Sequence, residues 1–201
     1  MILFHSPNSP YARRVRVAVR EFGLSDRVEE QNVSPLAAPD NVLHRYGPGA
    51  KVPALLTNDG VFLCETLVIC HYLDGISGGR FYPADPAARE RCLQIEGVAS
   101  LLMDSLFFRS HENRRAAGEQ SPTVIDKEAA RAARAYDALE DLAAGFADEL
   151  DMSLISVAAA LGYADGRHPG DGWRDNRPTL TAWFEAMMQR PALAETVPNF
   201  D

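Results

Sequence analysis

At 201 residues, 46% of them hydrophobic, the chain can bury a substantial core and is long enough for one domain or two small ones. Its whole formal charge of −8 arises beyond residue 80, because residues 1 to 80 carry eight Arg/Lys against eight Asp/Glu; an acidic second half argues against a nucleic-acid binder. No stretch approaches the roughly eighteen apolar residues of a membrane span, and the apolar start "MILFH" has no positively charged lead-in. A cytoplasmic location without membrane partners is the expectation.

"MILFH" and "VEEQNVS" read as strands. Between them "SPYARRVRVAVREFG" places Tyr11, Val15, Ala18, Val19 and Phe22 at helical spacing and closes on Gly23. "PDNVLHRYGPG" reads as a short helix or turn region. Ala54-Leu55-Leu56 and Val61-Phe62-Leu63 then flank Asn58-Asp59-Gly60, a strong hairpin turn signal. "ETLVICHYLDGIS" follows with the apolar stripe Ile69, Tyr72, Leu73 and Ile76. The order β-α-β-α-β-β-α occupies residues 1–77, and the Gly/Pro-rich residues 78–86 read as a linker. Residues 87–201 are helical in pattern, with breaks at Gly118 to Pro122, Gly166 to Gly172, and Pro191. The expected fold is therefore α/β followed by all-α.

The cysteines Cys64, Cys70 and Cys92 form no C-x-x-C and lie in apolar-patterned segments, which predicts buried reduced thiols. Five histidines and three cysteines show no closely spaced ligand pairs, so no metal site is expected. Arg13, Arg14, Arg16 and Arg20 are expected on a solvated face of the first helix.

Pro53 heads the first strand of the hairpin although proline has no N–H for a ladder. A β-α-β unit followed by β-β-α, with proline opening the third strand, is the order of the thioredoxin fold, where that proline is cis. Val52 would then turn its N–H and C=O outward to pair with an extended ligand as one more strand; a trans proline opening an edge strand is the plainer account. Ser9-Pro10 has the form of an N-cap and first helical residue. It also puts a hydroxyl at the positive end of a helix dipole, where a thiolate is stabilised. Glu65-Thr66 opens the next helix after the hairpin. Free amides there bind carboxylates, the Thr hydroxyl adds a donor, and Glu65 accepts from an ammonium group, although both residues also serve a plain helix start.

"SPNSPYARRVRV", "GAKVPAL" and "CETLVICHYLD", in this order and spacing, resemble the glutathione-binding half of cytosolic glutathione transferases, especially bacterial ones with serine at the tip of the first helix. The resemblance continues through "LGYADGR" and "RPTLTAWFEAMMQRP". It implies an N-terminal thioredoxin-like domain, an all-helical C-terminal domain and a homodimer. It further implies that Ser9 hydrogen-bonds the glutathione sulfur, Val52 before cis-Pro53 pairs with the cysteinyl backbone, and Glu65 with Thr66 holds the γ-glutamyl end. Lys51 stands where the glycine carboxylate is met, or is a surface lysine. Asp104 would reach the glutathione of the partner subunit.

A second-substrate pocket for a small electrophile is expected between the Ser9 loop and the helical domain, walled by Pro7, Tyr11, Phe107, Phe108 and His111; aromatics at such spacing also suit a core. His111, with Arg109, Arg114 and Arg115 nearby, would favour an anionic electrophile, but a solvated helix end is the simpler reading. One departure from the family is the start of the sixth helix, where Asp151 and Leu154 keep only the cap half of a capping box. The expected activity is a detoxifying glutathione transfer. Its rivals are a non-catalytic binding module of the same fold and a glutathione-dependent isomerase or dehalogenase.

Overall fold

The computed structural model describes residues 1–33, 42–47, 49–147 and 149–200. Four short strands, β1 (Ile2–His5), β2 (Glu29–Asn32), β3 (Ala54–Leu56) and β4 (Phe62–Cys64), form one sheet in the order β2-β1-β3-β4. β1 runs parallel to β2 and antiparallel to β3, and β3 is antiparallel to β4. The outer strand β2 is polar and largely exposed, which blunts a free sheet edge. The hairpin turn closes where the sequence signals it, with Gly60 at φ 80° and Thr57 N–H donating to the Val61 carbonyl at 2.9 Å.

Helix α1 (Pro10–Glu21) makes the parallel crossover, a single turn α2 (Leu43–Tyr46) precedes the hairpin, and α3 (Thr66–Ser77) follows it. Of the stretch "PDNVLHRYGPG", residues 39–41 and 48 lie outside the described residues. The C-terminal domain consists of α4 (Pro86–Asn113), α5 (Pro122–Ala143), α6 (Met152–Arg167), α7 (Pro178–Met187) and the short α8 (Pro191–Ala194). α6 is buried on every side from Met152 to Leu161, as an all-round apolar helix must be. Asp151 caps it alone, accepting from the Ser153 and Leu154 amides at 2.9 and 3.1 Å, so half a capping box suffices.

Two expectations fail. Arg13 and Arg14 are each only 1% exposed, not solvated, because α1 is packed against α3 and against α6 and α8 of the helical domain. Arg13 Nη2 donates to the Leu193 carbonyl at 3.0 Å and Arg14 Nη2 to Ser100 Oγ at 2.7 Å. Arg16 and Arg20 pair with Glu30 of β2. Cys64 is exposed, since it ends the outer strand β4, whereas Cys70 and Cys92 are buried. Leu67 and Val68 on α3 and Leu93 and Leu101 on α4 also remain exposed; Leu101 is 58% so.

Candidate active site

Register puts three backbone features at one end of the sheet. Ala54 lies opposite Phe4 of β1 and Cys64 of β4. Val52 and Pro53, just before Ala54, are thereby beside the exit of β1 toward Ser9 and the exit of β4 toward Glu65. Ser9 caps α1 in extended conformation, its Oγ accepting from the Ala12 amide at 3.2 Å. An acceptor role for the oxygen leaves the hydroxyl hydrogen available to a further partner. Pro7, in the same loop, is half-buried.

The Val52–Pro53 peptide bond is cis. No hydrogen bond of the Val52 backbone falls among the described residues, and Lys51 beside it is exposed. Glu65 has φ 71° and ψ 126°, a conformation that costs a side-chain-bearing residue on the order of 1–3 kcal/mol and gathers at functional positions. Its carboxylate is exposed and makes no ion pair among the described residues. Thr66 differs from expectation. Its hydroxyl is committed to the Tyr11 carbonyl at 3.1 Å, joining the starts of α1 and α3, so what it offers a ligand is its main-chain N–H.

On the facing wall, Tyr11 Oη donates to Asp104 Oδ1 of the same chain at 2.5 Å. Burial first, and then this bond, raises the Tyr11 pKa above the ordinary tyrosine range. The Tyr11 ring meets the edge of Phe107 at 5.3 Å between centroids, and Phe107 lies 3.9 Å from the His111 ring. Phe107 is half-buried and Phe108 52% exposed, so this row is a surface wall more than a core. His111 is not a solvated helix end. Burial lowers its pKa, with Arg114 and Arg167 adding to the effect while the Phe107 carbonyl opposes it. A neutral ring with Nδ1–H donating to the Phe107 carbonyl at 3.0 Å leaves Nε2 to accept from Arg114 Nη2 at 3.1 Å.

The structure thus gathers Ser9, Val52, Glu65 and Thr66 at one sheet end, and Tyr11, Asp104, Phe107 and His111 on the α1–α4 wall. Arg109 and Arg115 are elsewhere engaged, with Asp171 and Glu119. Tyr163, Arg167 and Phe200 were missed by sequence reasoning: Arg167 stacks on Phe200, 4.1 Å from the ring centroid, and Phe200 meets Tyr163 edge-on at 5.7 Å. Nothing in the local pattern signals that contact, which joins the end of α6 to the C-terminal tail. Cavities of about 470 and 310 Å³ are lined by other residues, among them Arg80 and Leu150 in the first and Arg13 and Met188 in the second. Among the described residues no three His, Cys, Asp or Glu side chains converge, and no helix is long and apolar enough to cross a membrane.

A four-stranded thioredoxin-like sheet with a cis-proline edge, joined to an all-helical domain, is the fold of glutathione transferases. Residues 3–81 match the family model for the glutathione S-transferase N-terminal domain and residues 122–186 that for the glutathione S-transferase C-terminal domain. YibF of Escherichia coli (strain K12), a GST-like protein itself uncharacterized, is 30% identical over 202 residues, 98% of both chains. A glutathione transferase family member of Pseudomonas fluorescens Pf-5, solved with bound glutathione, superposes with a TM-score of 0.92 at 38% identity over 98% of each chain. A second Pf-5 structure, with bound S-(propanoic acid)-glutathione, gives 0.88 at 35% identity over 99% of this chain and 100% of the other. The protein belongs to the glutathione S-transferase family.

Proposed function

We propose that this protein is a glutathione transferase that ionises the glutathione thiol and directs the sulfur at a small electrophile. The observation that carries the reading is the convergence, at one end of the sheet, of three groups with unspent hydrogen-bonding capacity. These are the Ser9 hydroxyl hydrogen at the α1 start, the Val52 backbone, and the α3 start with its exposed Glu65 carboxylate. Glutathione bound in the Pf-5 relative supports the same reading. The chain's own donors fit each part of the tripeptide. Val52 N–H and C=O pair with the cysteinyl backbone as an added strand. The Thr66 amide receives the γ-glutamyl α-carboxylate at a helix start, and Glu65 receives the α-ammonium group. Lys51 meets the glycyl carboxylate, and Asp104, with one oxygen given to Tyr11, has the other for the glutathione of the partner subunit.

Ser9 then donates to the sulfur. A thiolate is the nucleophile, and a hydroxyl donor beside the positive end of a helix dipole lowers the thiol pKa. Pro7, Tyr11, Phe107, Phe108 and His111 wall the electrophile's site. The exposed Leu67, Val68, Leu93 and Leu101 supply the face of a homodimer, and the reaction is a detoxifying conjugation in the cytoplasm. Titration calorimetry with glutathione, read with the ultraviolet absorbance of the bound thiolate against pH, tests the core of this reading. Binding with a thiol pKa clearly below that of free glutathione is expected. No binding at millimolar glutathione would make the protein a non-catalytic member of the fold.

A further inference from the structure

Charge along the α4 wall is compensated at one end and bare at the other. Arg109 is ion-paired with Asp171, whose carboxylate also accepts from Tyr136 Oη at 3.3 Å. One turn further on, Arg114 is held by the Ser110 carbonyl and the His111 ring, and among the described residues neither Arg114 nor Arg167 reaches a carboxylate. Arg167 Nε is buried without any hydrogen-bond partner. Arg13 Nη1, Arg14 Nε and Arg109 Nε are unmet in the same way, but of these four arginines Arg167 alone makes no hydrogen bond to the described residues, and an unmet charged donor costs about 1–3 kcal/mol or more.

The guanidinium is also fixed in orientation. It lies on the Phe200 ring, which in turn sits so close over Gly166 that a Cβ there would come within 2.1 Å of a ring carbon. A planar cation stacked on an aromatic face keeps its N–H edge free for bidentate contact with a carboxylate. His111 lies within electrostatic reach of both Arg114 and Arg167, and the edge-on and tilted ring contacts from His111 through Phe107 to Tyr11 lead back to α1, the helix that Ser9 opens.

We propose that Arg167, braced by Phe200 and assisted by Arg114, forms an anion subsite at the outer end of the second-substrate wall, and that the electrophile is an aromatic compound bearing a carboxylate. The inference rests on the glutathione-transferase reading and names its substrate class. For a chloronitrobenzoate the reaction balances without oxidant or reductant. The thiol proton goes to solvent, the sulfur bonds to the ring carbon bearing chlorine, the C–Cl bond breaks, and chloride leaves with the electron pair.

The test compares two matched pairs. Titration calorimetry measures glutathione itself, S-(4-carboxy-2-nitrophenyl)glutathione and the corresponding carboxamide; kcat/KM is measured for 4-chloro-3-nitrobenzoate and its carboxamide. The carboxylate conjugate is expected to bind about tenfold or more tightly than the carboxamide, the usual advantage of a charge-assisted pair over a neutral one, with the same preference in kcat/KM. Arg167→Gln should abolish most of that ratio and Arg167→Lys should keep part of it. The wild-type comparison stands even if a variant does not fold. Glutathione binding with equal affinity for the two conjugates overturns the anion subsite and leaves the transferase reading intact. No binding of glutathione or of either conjugate overturns both.

Discussion

The two walls of the candidate site are built from different materials. On the sheet side the contacts on offer are mostly backbone and helix-start groups: the Val52 peptide edge, the Thr66 amide, and one capping hydroxyl at Ser9. On the helical side they are large side chains: Tyr11, Phe107 and His111, which touch ring to ring, and Arg167, which lies on Phe200. Backbone groups suit a ligand that never varies, because their positions follow from the fold. Side chains suit one that varies among relatives.

The largest test of this contrast is Ser9→Ala. Removing one donor to a held anion costs roughly 100- to 1,000-fold in rate, so kcat/KM should fall by that much while the bound thiol's pKa rises toward that of free glutathione. A thiol that titrates unchanged in the variant would show that Ser9 is only a helix cap. Next comes the seam between the two walls. A Cβ at Gly162 would lie 2.1 Å from Arg13 Nη1, whose guanidinium is buried and tied to Leu193 and Thr196. Overpacking of this kind costs about 1–3 kcal/mol. Gly162→Ala should lower the unfolding free energy by that amount, read as a lower urea midpoint at unchanged slope, without changing glutathione affinity; an unchanged midpoint would mean the seam yields.

Glu65 sharpens the contrast differently, because the residue proposed to receive the α-ammonium group also carries a positive φ. Glu65→Gly should gain about 1 kcal/mol of stability by relieving a backbone conformation that glycine adopts freely. The same change should weaken glutathione binding about tenfold through the lost charged acceptor. A variant that gains stability and keeps its affinity would remove Glu65 from the site.

The smallest effect is a tilt with pH. Burial lowers the pKa of His5, His111 and His168 in the folded state below the free value of about 6.5. Below that value the unfolded chain therefore binds more protons than the folded one. The stability of the folded state is complete above about pH 6.5 and is lost progressively as pH falls toward the folded-state values. Thermal midpoints should fall between pH 7 and 5, and His168→Gln should flatten the slope; an unaltered slope would clear His168 of the effect.

Much of the sheet-side wall was legible because its signals are local. Ser-Pro at a helix start, Asn-Asp-Gly between apolar triplets and proline at a strand head each act over a few residues, and the elements stand where those signals put them. Thr66 shows the limit, since its hydroxyl goes to Tyr11 and not toward a ligand, a choice made by the approach of α3 to α1. Cys64 shows another: an apolar neighbourhood in sequence does not say that the last residue of an outer strand will be covered.

What the sequence determined by itself was the order of elements with their caps and turns, because periodicity, capping and proline geometry are properties of short stretches; Ser9, Val52-Pro53 and Glu65-Thr66 stood out through their resemblance to a family. Only the tertiary structure decided which cations are buried, paired or bare. Arg13 and Arg14 vanish under the helical domain, Arg109 finds Asp171, and Arg167 is laid on Phe200 with no carboxylate among the described residues. Charge carries no information about its partner until distant helices meet, since the energy of a guanidinium is set by what surrounds it in space and not by its neighbours along the chain.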